Sequence, residues 1–347
     1  MQQHKILSGY ASFGIDVGHS SVKIAASMLH LPTIRHTASI PTVVIPAVKI
    51  ADEHTAQLAS RETVTINGAS YFFGTTAILQ GNATVFSGQD RNWIESNVHD
   101  VLVVAAWQKA MALINSSPRG INLVLGLPMA FFSAQKAALK ARVQALLEPH
   151  LSFGQQLTIL VRPQSLVPLI NLQHALDGTL STTYKADSES WAVIDVGHYT
   201  TDFCILLQTQ IQDIAGDSIP GMSKVYSAIR SEFQSRDYSV VLESIDEAVK
   251  RKVIRHYGAL DVSAIVEAAA KPLRNVIIDR AQTLFSDVAS RLNGIIVAGG
   301  GGALVFDAIK TAFPNAELAP AAELALAEGM CRFGLFAHHA SALQKVA

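Results

Sequence analysis

Ile15-Asp16-Val17-Gly18-His19 and Ile194-Asp195-Val196-Gly197-His198 are the same five residues written twice, 179 positions apart. Hydroxyl residues follow both copies, Ser20 and Ser21 after the first, Thr200 and Thr201 after the second. A separation of about half the chain points to two similar lobes, not to the short period (roughly 20–50 residues) of a solenoid. Each copy is entered by a β-rich run, Ser12–Val17 or Trp191–Val196, and left by another, Val22–Ala26 or Phe203–Leu207. This pattern predicts a β-hairpin with an Asp at the end of its first strand and a Gly-containing turn after it. Backbone N–H groups and hydroxyls in such a turn can cradle phosphate. A carboxylate beside them can hold Mg2+, usually through water. One copy alone reads as readily as an ordinary turn with a capping Asp, and it is the duplication that favours the chemical reading.

A third element is the apolar run Ile295–Ala298, which enters Gly299-Gly300-Gly301-Gly302 and then a helix-like stretch, Ala303–Ala312. Backbone without Cβ lets a flat ligand approach closely, and the start of a helix favours negative charge. The spacing is not that of a dinucleotide-binding GxGxxG loop, since Leu304 stands where the third glycine would fall, and no GxxxxGK[ST] occurs.

Composition narrows the classes further. The 347 residues are 49% hydrophobic and 16% charged, which excludes disorder and permits a large core. Lys+Arg is 27 against 28 Asp+Glu, a net charge of −1, so no global basic field exists to hold nucleic acid directly. The mean hydropathy is high, +0.27, yet the longest apolar runs, Val101–Trp107 and Ile121–Leu127, are far short of the about 20 residues of a spanning helix. The first seven residues lack the apolar stretch of a signal peptide, and two cysteines, Cys204 and Cys331, make neither a disulfide framework nor a four-thiolate zinc site. These features imply a cytoplasmic α/β protein without membrane attachment.

Taken in order, the three elements resemble those of the actin/Hsp70/sugar-kinase ATPase superfamily, with Asp16–Lys23 and Asp195–Asp202 as its two phosphate motifs and Val297–Leu304 as its adenosine motif. Within it the chain is most similar to the ParM/StbA plasmid-segregation actins, and the resemblance extends over nearly the whole length. Asp16-Val17-Gly18-His19-Ser20-Ser21-Val22-Lys23 matches that family's Asp-x-Gly-Ser-Thr-Asn-x-Lys. Val64–Gly74, with Asn67-Gly68 at its turn, resembles the small insertion hairpin, and Leu123–Pro128 resembles the strand ending in Leu-Pro. Gly216-Asp217-Ser218-Ile219-Pro220-Gly221 and Glu328-Gly329-Met330 resemble the family's Gly-Asp-Ser-x-x-Gly and Asn-Gly-Met.

The resemblance implies two RNase H-like lobes around a nucleotide cleft. Lobe I is expected over 1–182 plus 323–347, with an insertion subdomain at about 38–100, and lobe II over 183–322. ATP, with GTP as a possible substitute, and Mg2+ are the implied cofactors. Gly18, His19, Ser20, Ser21 and Lys23 from one lobe, and Gly197, His198, Tyr199 and Thr200 from the other, would hold the phosphates. Gly216, Asp217, Gly299, Gly300, Gly301 and Gly302 would line the nucleoside. Asp16 and Asp195 would hold the hydrated Mg2+ and serve catalysis with Gln164. That glutamine, in Arg162-Pro163-Gln164-Ser165, stands where the family has a catalytic Glu in Pro-Glu-Ser. A carboxamide orients water but accepts its proton poorly, so slow turnover is expected. His19, His198 and Tyr199 depart from the smaller residues of the family.

The implied function is a slow Mg-dependent ATPase that assembles head-to-tail into filaments and segregates plasmid DNA through an adaptor protein. The alternative is a non-polymerising actin-fold adaptor similar to PilM or FtsA. A sugar kinase would need a base where Gln164 stands. A GDSL-type hydrolase built on Ser218 would need a late Asp-x-x-His pair, and a zincin would need HExxH; neither motif occurs.

Overall fold

A computed structural model describes residues 9–81, 93–185, 188–208, 210–212, 218–240 and 242–344. The chain divides into two compact units, Met1–Tyr184 with Leu324–Ala347, and Lys185–Glu323. Both are α/β.

The first unit is built on a five-stranded sheet in the order His36–Pro41, Ser21–Met28, Tyr10–Val17, Gly120–Leu127, Gln156–Pro163. The first three strands pair antiparallel and the last two add parallel. Tyr10–Val17 is buried along nearly its whole length, as a central strand covered on both faces must be. The period-2 alternation sends Phe13, Ile15, Val22 and Ile24 into one core, which they share with Leu102, Val103 and Trp107 of helix Asn97–Ile114 and with Leu139 and Val143 of helix Met129–Leu147. The opposite face carries Ser12, Gly14 and Asp16. Helix Ala325–Gln344, contributed by the C-terminal segment, lies on that face with Ala327 and Cys331 fully buried. The helix backbone comes so close that a Cβ at Gly14 would overlap the carbonyl of Ala327 and the amide of Cys331. Ser12 Oγ donates to the carbonyl of Cys331 at 2.8 Å and fixes the register of this contact.

A smaller three-stranded sheet, Val44–Pro46, Ala69–Phe73 and Thr63–Ile66, is inserted after the edge strand. Its hairpin turns through Asn67 and Gly68 with φ of 50° and 79°, the paired positive values of a type I′ turn. Within the expected insertion of about 38–100, residues up to Pro41 pair with Ser21–Ile24 of the main sheet, and Val64, Ile66 and Phe73 of the inserted strands share the core of helix Asn97–Ile114.

The second unit repeats the arrangement. Its sheet runs Gln210–Ile211, Thr200–Leu207, Ser190–Val196, Gly294–Ala298, Ala316–Leu318, with Ser218–Pro220 paired to the start of Thr200–Leu207. The hairpin is again antiparallel and the next strands again add parallel. Helices Ser223–Ser235, Ser263–Phe285 and Gly302–Ala312 supply Val225, Ile229, Ile277, Phe285, Val305 and Ile309 to its core. No helix among the described residues is long and apolar enough to cross a membrane.

The contact at Gly14 yields a direct test. Gly14→Ala forces the C-terminal helix off the sheet and is expected to destabilise the first unit by about 3 kcal/mol, an overpacking cost against backbone that cannot rotate away. Denaturant unfolding of the full chain measures it, with Gly300→Ala, whose Cβ meets nothing within 4 Å, as the neutral control.

Candidate functional site

In the first unit the predicted residues converge on the end of strand Tyr10–Val17. Asp16 and Lys23 are cross-strand partners. Lys23 Nζ lies 3.5 Å from Asp16 Oδ2, and the two side chains are only 14% and 8% exposed, so Lys23 turns inward. Gln164 begins a short 3-10 turn immediately after strand Gln156–Pro163 and packs over Gly126, donating from Nε2 to Asp16 Oδ1 at 2.9 Å. Asp16 and Lys23 of one hairpin and Gln164, 148 positions beyond Asp16, thus form one largely buried cluster of cation, carboxylate and carboxamide.

The turn Gly18–Ser21 is held by residues that the sequence did not single out. Thr42 Oγ1 donates to the carbonyl of Gly18 at 2.6 Å, and its amide donates to the carbonyl of Ser20 at 3.0 Å. Trp93 Nε1 donates to the carbonyl of Val17 at 3.2 Å, and its indole stacks on the His19 ring with centroids 4.7 Å apart. His99 stands edge-on to Trp93 at 5.7 Å. Burial lowers the pKa of His19, an effect that Asp16 opposes and Lys23 reinforces. Two of these residues could have been suspected: Thr42 directly follows the strand beside the turn, and a Trp is a large group to leave outside a core. Nothing in the sequence joins either one to Gly18.

The second unit makes the equivalent turn differently. Asp195 pairs across the hairpin with Asp202, the position equivalent to Lys23. Asp202 accepts hydrogen bonds from Thr200 Oγ1 at 2.9 Å and from Ser218 Oγ; burial raises its pKa and these bonds oppose the rise. The carbonyls of Gly197, His198 and Tyr199 accept from the amides of Met222, Ser223 and Gly221 at 3.0, 2.6 and 2.8 Å. The first amide of helix Ser223–Ser235 and the two amides before it are therefore spent on the turn itself and not left for an anion. A Cβ at Gly221 would stand 2.5 Å from the carbonyl oxygen of Gly197, so this position tolerates only glycine. The His198 ring meets Tyr199 and Tyr226 at 4.6 and 5.4 Å.

The glycine run joins the same turn. Gly299, at φ 86°, lies against Asp195: a Cβ there would come 2.5 Å from its carboxylate and from the carbonyl of Val196. Gly301 donates from its amide to the carbonyl of Val196 at 2.9 Å, Gly302 opens helix Gly302–Ala312, and Gly300 faces open space. Gly216 and Asp217 lie outside the described residues.

The residues present fit a hydrated divalent ion and a nucleotide. Asp16 and Asp195 are each more than nine-tenths buried, and a carboxylate with one or two partners keeps lone pairs for metal-bound water. Gly299 packs its bare backbone against Asp195 and Val196, and the backbone of Gly300 is open to a ligand's approach. No group of three or more His, Cys, Asp or Glu capable of holding a metal occurs among the described residues. A carboxylate that meets an ion through bound water suits Mg2+, which retains water, better than it suits zinc.

Two units, each an α/β sheet opened by an Asp-bearing hairpin and backed by helices, are the architecture of the actin-like fold. Residues 14–162 match the family model of the N-terminal domain of actin-like proteins, and residues 193–311 match that of the C-terminal domain of MreB-like archaeal actin homologues. The chain belongs to the actin-like proteins. Among solved structures, a 15-stranded ParM filament from Clostridium botulinum aligns with a TM-score of 0.72 at 22% identity, covering 94% of this chain and 99% of that one. The archaeal actin homolog Ta0583 aligns at 0.70 and 18%, covering 95% and 99%. ParM of Bacillus thuringiensis with ATP aligns at 0.60 and 15%, covering 98% and 100%. At these identities the likeness is one of fold. No curated protein matches the chain.

The aromatic cluster behind the first turn has a measurable acid signature. His99 is buried with Nδ1 lacking a hydrogen-bond partner, and burial, assisted by Arg142 and His19, lowers its pKa from 6.5 to about 3. Between those values the unfolded chain binds one proton more than the folded one, so stability falls as pH falls, by about 1.4 kcal/mol per pH unit. Unfolding measured between pH 7 and 5 should show this slope flattened in His99→Phe, which keeps the ring contact with Trp93 and cannot titrate.

Proposed function

We propose that this chain is an ATPase that assembles with ATP into filaments, hydrolyses the nucleotide slowly in the cytoplasm, and drives plasmid DNA segregation through an adaptor protein. The observation that carries the reading is the Asp16–Gln164 hydrogen bond beside the first turn, in a chain that repeats the same Asp-turn hairpin in its second unit. The amides and hydroxyls of Gly18–Ser21, and the amides of His198 and Tyr199 in the second turn, bind phosphate oxygens. Lys23 offsets negative charge beside Asp16. Asp16 in the first unit, and Asp195 in the second, are the carboxylates that would accept hydrogen bonds from the water of a bound Mg2+, whose charge would offset that of phosphate.

Gln164 positions the attacking water. Its Nε2 is committed to Asp16, so its Oε1 is left to accept a water proton. An amide oxygen is a weak base, hence slow hydrolysis. Gly299–Gly302 receive the base against backbone. Self-assembly is supported by the likeness to a protein solved as a filament. A net charge of −1 supports recognition of DNA by a separate adaptor and not by this chain.

Sedimentation and light scattering with Mg-ATP, Mg-ADP or no nucleotide, run beside phosphate release, test the reading. Polymer is expected with Mg-ATP. Asp195→Ala should lose both polymer and phosphate release. Gln164→Ala should still polymerise, with release slowed on the order of a hundredfold, the usual worth of a positioned proton-transfer partner. A chain that binds ATP yet stays monomeric at every concentration overturns the filament and makes it a non-polymerising adaptor of the same fold.

A further inference from the structure

The contacts of Trp93 go beyond what its place in a core requires. An indole can fill apolar space without touching a ligand-binding turn. Here its N–H is spent on the carbonyl of Val17, the last residue before the turn, and its face is spent on His19, the second residue of the turn. The ring is 8% exposed and belongs to the main core of the first unit. It is rigidly backed: Ser96 Oγ caps helix Asn97–Ile114 by accepting from the amide of His99, and the His99 ring meets the indole edge. Arg142, from helix Met129–Leu147, clamps the same helix start through Asp100, at 2.8 and 2.7 Å, and through the carbonyl of Glu95 at 2.9 Å.

We propose that Trp93 is the positioning residue of the first phosphate turn, holding Gly18–Ser21 in its phosphate-binding form through the carbonyl of Val17 and the ring of His19. The inference rests on the nucleotide-binding reading above. Its physical basis is preorganisation. A turn whose carbonyls and bulkiest side chain are already tied down loses little conformational entropy when its amides close on phosphate. Thr42 ties the carbonyls of Gly18 and Ser20, but neither of its bonds reaches the side chain of His19. That imidazole is a large group for a phosphate turn, and left unstacked it would sample rotamers across the space the phosphates need. The stack on Trp93 restrains it and sets which way the turn's amides face.

The test uses the full chain labelled with 5-fluorotryptophan, whose three residues Trp93, Trp107 and Trp191 give three 19F resonances. Trp93→Phe identifies the Trp93 signal. Trp107, buried in the same unit against Phe13 at 5.6 Å, is the internal reference. Mg-ATP is expected to shift the Trp93 resonance and leave that of Trp107 in place. With a fluorescent ATP analogue, Trp93→Phe, which loses the N–H donor and keeps a ring for the stack, should weaken affinity by about threefold to tenfold, the worth of one hydrogen bond. Trp93→Leu, which loses both, should weaken it by more than about tenfold. Phosphate release at saturating ATP should stay within about twofold in both, the pattern of lost binding and not of lost chemistry.

If wild-type chain binds the analogue while the Trp93 resonance stays fixed, the inference fails and the nucleotide reading stands. It fails in the same way if Trp93→Leu lowers the melting temperature without changing affinity, since the residue is then only core. If wild-type chain binds no nucleotide under any condition, the functional reading fails and takes the inference with it.

Discussion

A carboxylate at the end of a strand buried on both faces is the constraint around which each unit is organised. Leaving such a charge unpaired in a low-dielectric interior costs several kcal/mol, so its neighbours must be polar and their placement cannot drift. The first unit answers with a cation and a carboxamide: Lys23 comes from the partner strand, and Gln164 from the turn after strand Gln156–Pro163. The second unit puts another acid opposite, Asp202, and satisfies it with the hydroxyls of Thr200 and Ser218. Beside Asp195 it places the bare backbone of Gly299. The same hairpin therefore sets a lysine across from its Asp in one unit, and in the other a second acid held by neutral donors.

The turns that follow obey a second shared rule with different parts. A turn built to present amides to an anion directs its carbonyls away, and those carbonyls need donors of their own. In the first unit the donors are the side chain and amide of Thr42, with the indole of Trp93 on the residue just before the turn. In the second they are the amides of Gly221, Met222 and Ser223. The first solution depends on side chains and can be tuned by substitution. The second depends on backbone and on a glycine that nothing larger can replace. The half-buried ring of His19 lies in the tunable turn and the buried ring of His99 behind it, and burial lowers the pKa of both.

Close backbone packing links these sites to the rest of the first unit. The C-terminal helix reaches the sheet at Gly14, two residues before Asp16 on the same face of the strand. A movement of that helix is a movement of the strand that carries the carboxylate. The hydrogen bond from Ser12 to Cys331, and the Arg35 contact to the Cys331 sulfur at 2.9 Å, make the same connection with polar groups.

The sequence by itself determined the α/β class, the actin-like fold and the two Asp-turn hairpins. Each of these is written in local order: period-2 apolar runs, a Gly-containing turn, and a five-residue identity repeated half a chain apart. It also carried the Asn67-Gly68 hairpin and the glycine run that opens helix Gly302–Ala312, because positive φ and close approach restrict the residue type at the position itself. Tertiary structure alone decided the rest. It brought Gln164 onto Asp16, turned Lys23 inward, placed His36–Pro41 in the main sheet, and set Thr42 and Trp93 behind the first turn. The physical reason is the same in every case. These are contacts between residues tens to more than a hundred positions apart or of ambiguous direction, chosen by which groups satisfy one another's buried polar atoms, and no local pattern of residue types records that choice.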